Sequence, residues 1–549
     1  MVLVECKAKV SQHESADRSR AADFAVDGVL HYAKFVSREY TVVAVAVSGD
    51  EGHLKISTFL WSKGAEEPKP LVSPQGAEIA EIIPLSDYVA AASHDPAVQT
   101  QRIHDLLEFS QQMHEFMRDE AELEEKEKPL VVAGTLIALR NRTFALSYSN
   151  YKADELQDYW LETIQKEMAA ANLPDFKKLN MTQPYTAVAV HPELGKATRA
   201  YPRGVLHEII KMLSERVMPF ITIYHDFDVV GRFYGEFLKY TGGDGKGLGI
   251  VLTPRHVTEL FALLSNVSKD DVVLDPCVGT GGFLISAMAK MISTTTTAAE
   301  VEDIKKNRLI GVEQQATMYA LAASNMILRG DGKANLHQGS CFDSAISGQA
   351  KQYKANVGMV NPPYSKSKAD LHELRFVEHM LEMLEPGGTG IAIVPVSCAT
   401  SPSEHKGRLL RNHTLEAVMS MPVELFYPVG VVTCVMVFTA HKPHATSGRK
   451  TWFGYWREDG FVKTKHRGRI DLDDKWTGIR DSWVSAFRNR EVIPGHSVTR
   501  QVTAADEWVA EAYMETDYST LTPAYFEQVV REYALFQLGR LAGDEDATD

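Results

Sequence analysis

The chain has 549 residues, enough for roughly three or four domains, with 44% hydrophobic and 24% charged residues, the balance of an ordinary globular protein with ample core. Lys and Arg number 58 against 72 Asp and Glu, a formal net charge of −14, which excludes a stand-alone nucleic-acid coat but leaves room for a local or borrowed basic groove. No apolar stretch approaches a membrane span, the N-terminus is no signal peptide, and Cys6, Cys277, Cys341, Cys398 and Cys434 lack disulfide or zinc spacing, so a cytoplasmic protein with reduced thiols is expected.

Residues 1–100 alternate strand and helix patterns: "VLVECKAKV", then "AADFAVDGVLHYAKFVSR", then "YTVVAVAVS" and "LKISTFLW". A small α/β unit is expected there. Strand alternation in "LVECKAK" places Glu5 and Lys7 on one face, with Val4, Cys6 and Ala8 on the other. Residues 101–129 end in the charge-dense "RDEAELEEKEKP" and read as a solvated helical linker. Residues 130–245 show helical periodicity in "ADELQDYWLETIQKEM", "GVLHEIIKMLSERV" and "DVVGRFYGEFLKY", and "TGGDGKGLG" then marks a turn-rich junction.

From 246 to 445 short apolar runs alternate with helical patterns, the signature of a mostly parallel sheet. The runs are "DVVLD", "RLIGVE", "VGMV" and "GIAIVP", with "LEAVMSMP" and "VVTCVMVFTA" as later strands. The remaining residues, 446–549, combine a basic run, Lys463–Arg469, with helical stretches, and suit subunit or DNA contact; the basic run reads equally well as a solvated loop.

Two places carry chemistry. In "VVLDPCVGTGGF" a strand meets a glycine-rich turn and then a helix, the place where open α/β sheets bind ligands. Gly279, Gly281 and Gly282 let backbone approach a ligand, but the spacing is neither GxGxxG nor a P-loop. Asp275 ends that strand, where its carboxylate can meet an ammonium group. Glu313 ends the next, where it can accept from two ribose hydroxyls. That pair suits S-adenosylmethionine, although a tight strand–helix connection explains the glycines alone. The second place is "VGMVNPPYS". Asn361, Pro362, Pro363 and Tyr364 stop a buried strand in a rigid turn, at the same sheet edge as the glycines. Adenine N6 is a poor nucleophile because its lone pair is delocalised. The Asn361 oxygen and the Pro362 carbonyl, held by Pro363, can accept both N6 hydrogens, and Tyr364 offers a flat face to an extruded base.

Together these stretches resemble the amino-group DNA methyltransferases of the gamma arrangement, above all the modification subunits of type I restriction systems. The likeness covers about 205–445, from "GIVLTPRHVTELFALL" through "LDPCVGTGGFLISAM" and "NPPY" to "LLRNHTLEAVMSMPVELFYPVGVVTCVMVF". It implies a class I, Rossmann-like methyltransferase with a mostly parallel seven-stranded sheet, acting on N6 of a flipped adenine in double-stranded DNA. It places Thr253, Pro254, Asp275, Pro276, Gly279, Thr280, Gly281, Gly282, Phe283, Glu313, Ser340, Cys341 and Phe342 around S-adenosylmethionine. The family's Gly-Asp after the third strand is replaced by Gly339-Ser340 in "HQGSCFD", and a serine accepts more weakly than a carboxylate. Phe342 is expected either against the adenine ring or in the core.

Glu5 and Lys7 resemble the second half of a PD-(D/E)xK nuclease motif, which would bind Mg²⁺ and position water. Fused nuclease–methyltransferase subunits of type IIB enzymes have this order of parts. The motif's upstream acid has no place in Met1–Val4, so a truncated or inactive nuclease-like remnant is expected. Two other classes compete: release-factor glutamine methyltransferases, which share Asn-Pro-Pro-Tyr, and a non-catalytic scaffold subunit. Residues 446–549 are short for a full recognition module, so a separate specificity subunit docking on the C-terminal helical segment is expected.

Overall fold

The computed structural model describes all residues except 51, 74–75, 170–174, 224–230, 232, 234, 236–251, 331–334, 366, 368, 428, 465–467, 516–520 and 546–549. Much of the predicted helix "DVVGRFYGEFLKY", the glycine junction and part of the basic run therefore lie outside the described residues. The chain divides into two units, residues 1–164 with 188–237, and residues 165–187 with 238–549.

In the first unit, strands β1 (Val2–Lys7), β2 (Val42–Asp50), β3 (His53–Trp61) and β4 (Lys69–Pro70) form a sheet in that order, with helix α1 (Ala25–Val36) crossing between β1 and β2. β1 runs parallel to β2, and β3 is antiparallel to it. Val42, Ala44 and Ala46 point toward Val26, Val29 and Ala33 of α1, so period 2 on the strand meets period 3.6 on the helix.

Helix α2 (Pro96–Asp119) is no solvated linker. Leu106, Phe109, Met113 and Met117 are buried along one face, and Lys128 at the start of α3 (Lys128–Arg140) is buried too, its Nζ 2.6 Å from Glu125 Oε1. Charge density describes the outer face of such a helix; the i, i+3, i+7, i+11 apolar spacing decides its burial. Nor does 130–245 behave as one helical domain. Residues 165–187 pack with the second unit, where the Tyr185 hydroxyl lies 2.6 Å from Ser324 Oγ.

Among the described residues the main sheet of the second unit has nine strands rather than seven, in the order β15-β12-β10-β11-β9-β8-β5-β6-β7. They are β5 (Val273–Asp275), β6 (Leu309–Glu313), β7 (Asn335–Gln338), β8 (Val357–Val360), β9 (Thr389–Pro395), β10 (Thr414–Ser420), β11 (Thr433–Thr439), β12 (Thr451–Tyr455) and β15 (Ser497–Arg500), with a hairpin of β13 (Val462–Thr464) and β14 (Gly468–Ile470) beside them in sequence. β5 to β9 are parallel; β11 is antiparallel to both β9 and β10. The two extra strands come from the C-terminal hundred residues, whose short, polar "SVTR" gives no strand signal of its own.

The helices used below are α4 (Arg255–Leu264), α5 (Gly282–Ile292), α6 (Ala316–Leu328), α7 (Ser344–Lys351), α8 (Glu373–Met383), α9 (Trp476–Asn489) and α10 (Pro523–Glu545). Leu374, Val377, Met380 and Leu381 of α8 are buried against the sheet, which anchors the loop preceding it. Chain order reverses between β5 and β8, which lie side by side. A crevice at the carboxyl ends of these two strands is where such sheets take ligands.

Candidate functional site

The turn after β5 is shaped by backbone rather than by side chains. Gly279 has φ +55° and Gly281, which caps α5, has φ +91°, both in the left-handed region. Among the described residues, chain neighbours aside, a Cβ on Gly279 would meet no atom within 4 Å, which leaves room for a ligand. Thr280 is buried, and its carbonyl accepts from Asn325 Nδ2 of α6 at 2.8 Å. Pro276 is buried as well. The ring of Phe283, grouped above with the cofactor residues, is turned into the core and stacked on Phe261 of α4 at 4.6 Å. It supports the turn from beneath, because the first turn of α5 points that side chain at the neighbouring helix.

Asp275 is buried at the end of β5, with one oxygen accepting the Cys277 N–H at 3.0 Å. Burial pushes its carboxyl up to about 8, and the nearby Glu313 adds to the effect. Glu313 accepts from Gly279 N at 3.0 Å with one oxygen and from Gln315 N at 2.8 Å with the other, and burial raises its pKa as well. Each carboxylate oxygen has a second lone pair, so these bonds fix the side chain while leaving capacity for two hydroxyls. Two desolvated acids side by side favour a cationic guest. The residues present thus fit S-adenosylmethionine, whose ammonium and ribose match Asp275 and Glu313.

After β7, Ser340 Oγ accepts from Phe342 N at 3.2 Å. Asp343 is the N-cap of α7, accepting from Ala345 N and Ile346 N, so it serves the helix. Cys341 is buried, and its carbonyl lies 2.6 Å from His379 Nε2. All five cysteines are free thiols. Phe342 is half-buried, edge-on to Phe376 at 4.9 Å and beside His379 at 4.8 Å.

Asn361 follows β8 directly. Its Nδ2 donates to Thr253 Oγ1 at 2.9 Å, across 108 residues of chain. Thr253 precedes Pro254, the N-cap residue of α4, so the lead-in and the Asn-Pro-Pro-Tyr turn meet at the crevice. Tying down the amide nitrogen directs the oxygen as the acceptor end. The Tyr364 hydroxyl is buried, and the ring stands edge-on to Phe426 at 6.2 Å. Burial, with Cys434, Cys398 and Glu373 nearby, keeps the phenol protonated well above its usual range.

Sequence reasoning missed Glu373. It is buried at the start of α8 and accepts from Ser365 N at 2.7 Å and Ser365 Oγ at 2.9 Å. An acid in a helix's first turn is too common a pattern to have singled it out.

In the first unit, Glu5 and Lys7 pair with each other at 3.0 Å, and Lys7 also donates to the Ala22 carbonyl at 2.9 Å. They share the half-buried face, whereas Val4 and Cys6 are exposed. Among the described residues, two groups of three side chains are close enough to share an ion, His372–Glu373–Cys398 and His104–Asp105–Glu108; neither includes Glu5.

Strand order and glycine turn together are consistent with a methyltransferase-like fold. A model of the N-6 DNA methylase family matches residues 225–516. The type II restriction enzyme and methyltransferase RM.BcgI of Heyndrickxia coagulans is 33% identical over 545 residues, 95% of this chain and 84% of that protein. The EcoKI type I methylase subunit of Escherichia coli is 28% identical over 235 residues, 39% of this chain and 44% of its own length. A solved chain from work on complex assembly and conformational transition of the type I restriction–modification system shares the fold, with TM-score 0.53 and 16% identity over 82% of this chain and 98% of that one. The chain belongs to the N-6 DNA methylase family. It is an adenine-N6 DNA methyltransferase, and the release-factor and scaffold readings are not favoured. Among the described residues no helix is long and apolar enough to cross a membrane.

Proposed function

We propose that this chain is the modifying component of a cytoplasmic restriction–modification system, methylating N6 of an adenine flipped out of double-stranded DNA, with a separate subunit choosing the sequence. The observation that carries this reading is the Asn361–Thr253 bond at 2.9 Å, which fixes an amide acceptor at the end of β8, next to the crevice holding Asp275 and Glu313.

Asp275 would hold the cofactor's ammonium and Glu313 its ribose hydroxyls, with Thr253, Pro254, the turn from Pro276 to Gly282 and Ser340 to Phe342 forming the rest of the site. Bound S-adenosylmethionine supplies an electrophilic methyl group. Asn361 Oδ1 and the Pro362 carbonyl accept the two N6 hydrogens of the target and favour a nitrogen whose lone pair is localised. Pro363 keeps that carbonyl fixed, so the acceptors need no reorganisation. Tyr364 stacks on the base, contributing roughly 1–3 kcal/mol toward the few kcal/mol that extrusion costs. The methylated amino group then sheds its proton to water, and no general base is required beforehand.

Helix α10 supports the partner. Phe526, Val529, Val530 and Tyr533 lie at i, i+3, i+4 and i+7 and are 41–66% exposed, an apolar stripe suited to helices of a specificity subunit. For the first unit, the β1–α1–β2 crossover with Glu5 and Lys7 on the face toward α1 supports a nuclease-like relative, in which Glu5 would bind Mg²⁺ and Lys7 position the attacking water.

The test is transfer of labelled methyl from S-adenosylmethionine to unmethylated DNA, with and without the specificity subunit. Wild type should place label on adenine N6, and Asn361→Ala should lower kcat on the order of 100- to 1000-fold. Absence of label on DNA, despite cofactor binding, would refute the proposal.

A further inference from the structure

The Asn-Pro-Pro-Tyr turn is held at both ends. Its entrance is β8 and the Asn361–Thr253 bond; its exit is Ser365, whose backbone N–H and hydroxyl both point to one oxygen of Glu373, at 2.7 and 2.9 Å. Glu373 is only 5% exposed, and a buried carboxylate persists where hydrogen bonds replace its water. Its place as the first residue of α8 adds the favourable end of the helix dipole.

The same carboxylate is near enough to the Tyr364 phenol to act on it electrostatically. Its second oxygen is 3.7 Å from Cys398 Sγ and 3.7 Å from His372 Nδ1. The buried Tyr364 hydroxyl has no hydrogen-bond partner among the described residues, so nothing polar pins the ring from its own tip. The platform's position therefore depends on the backbone just after it. Although His372, Glu373 and Cys398 are close enough to share an ion, their donor atoms are engaged: His372 Nδ1 accepts the Leu374 N–H at 3.1 Å, and Ser365 occupies the other Glu373 oxygen. The cluster is built to hold a loop.

We propose that Glu373 is a positioning residue for methyl transfer, clamping Ser365 so that Tyr364 and the Pro362 carbonyl are set for the flipped base before DNA arrives. The inference rests on the DNA methyltransferase reading above. It assigns Glu373 no contact with substrate or cofactor, and a single amide oxygen in place of the one that Ser365 engages should largely serve.

The experiment compares wild type, Glu373→Ala, Glu373→Gln, Ser365→Ala and Asn361→Ala in the full chain with whatever partner the wild type needs. It reads kcat and KM for DNA, the Kd for S-adenosylmethionine, and the fluorescence of an adenine analogue at the mapped target base. Glu373→Ala should lower kcat on the order of 10- to 100-fold, as expected for a small misplacement of reacting groups, with cofactor Kd unchanged and the flipped-base signal altered. Glu373→Gln keeps an oxygen for Ser365 and should regain most of the rate; Ser365→Ala, which keeps the N–H, should lie between. Equal activity of Glu373→Ala and wild type overturns the inference, as does a Glu373→Gln as impaired as Glu373→Ala. Should Glu373→Ala fail to fold, a Ser365→Ala indistinguishable from wild type in rate and base signal overturns it instead. A wild type that leaves no label on DNA fails the underlying reading, and that result is visible before any variant is measured.

Discussion

At the scale of single residues, the least ordinary group is Asp275. An acid whose folded pKa is raised from 3.8 to about 8 binds its proton more tightly in the folded chain than in the unfolded one. The sign follows: in the ligand-free protein this group withdraws stability as pH climbs from about 4 through about 8. A cationic guest reverses the preference, since an ammonium beside Asp275 favours the carboxylate. Cofactor affinity should then fall by up to about tenfold for each pH unit below about 8, with proton release on binding. Calorimetry in buffers of differing ionisation heat would measure both. Asp275→Asn should bind more weakly and lose the proton release; a variant with an unchanged pH profile would remove Asp275 from the site. Asp275 and Glu313 were legible in sequence because each is the last residue of a recognisable strand. Glu373 was not, because its meaning lies in a contact with Ser365 that no spacing announces.

Among elements, the glycine turn is where sequence and geometry agree best. Gly281 at φ +91° caps α5 in a conformation that any side chain resists and a β-branched one resists most. Gly281→Val should lower the unfolding free energy by about 1–2 kcal/mol, read by urea denaturation, and weaken cofactor binding with it. Loss of binding with stability intact would mean the turn yields to strain and the glycine serves only the ligand. Helix α2 shows where element reading failed. Its acidic tail dominated the composition, while Leu106, Phe109, Met113 and Met117 carried the packing. Phe283 is a similar case: its neighbours face the ligand space, but the helix turns its own ring to Phe261.

Across the whole molecule, the last hundred residues do more than their sequence promises. β12 and β15 extend the sheet, Arg480 Nη1 lies 3.1 Å from Glu259 of α4, and Arg488 Nη2 donates to the Leu263 carbonyl at 2.9 Å. These contacts tie α9 to the helix that follows Thr253 and Pro254. α10 presents an exposed apolar stripe of Phe526, Val529, Val530 and Tyr533, apart from the residues around the crevice. Under the proposed docking, Val530→Glu with Tyr533→Glu should abolish association with a specificity subunit, read by size-exclusion chromatography of the mixed proteins. The same double variant should leave melting temperature and S-adenosylmethionine Kd unchanged. A shift in melting would show that the stripe is covered by this chain itself.

The sequence by itself determined the parallel strands, the glycine turn after β5, the acids at two strand ends and the Asn-Pro-Pro-Tyr turn after β8. Each is local: apolar runs, glycine's φ and proline's missing N–H act within a few residues of chain. Tertiary structure alone decided that β12 and β15 join the sheet, that Thr253 meets Asn361 across 108 residues, and that Glu373 binds Ser365 at the far end of the Asn-Pro-Pro-Tyr turn. Those arrangements depend on which surfaces bury one another, and a polar residue's partner is fixed only once burial has removed water as the alternative.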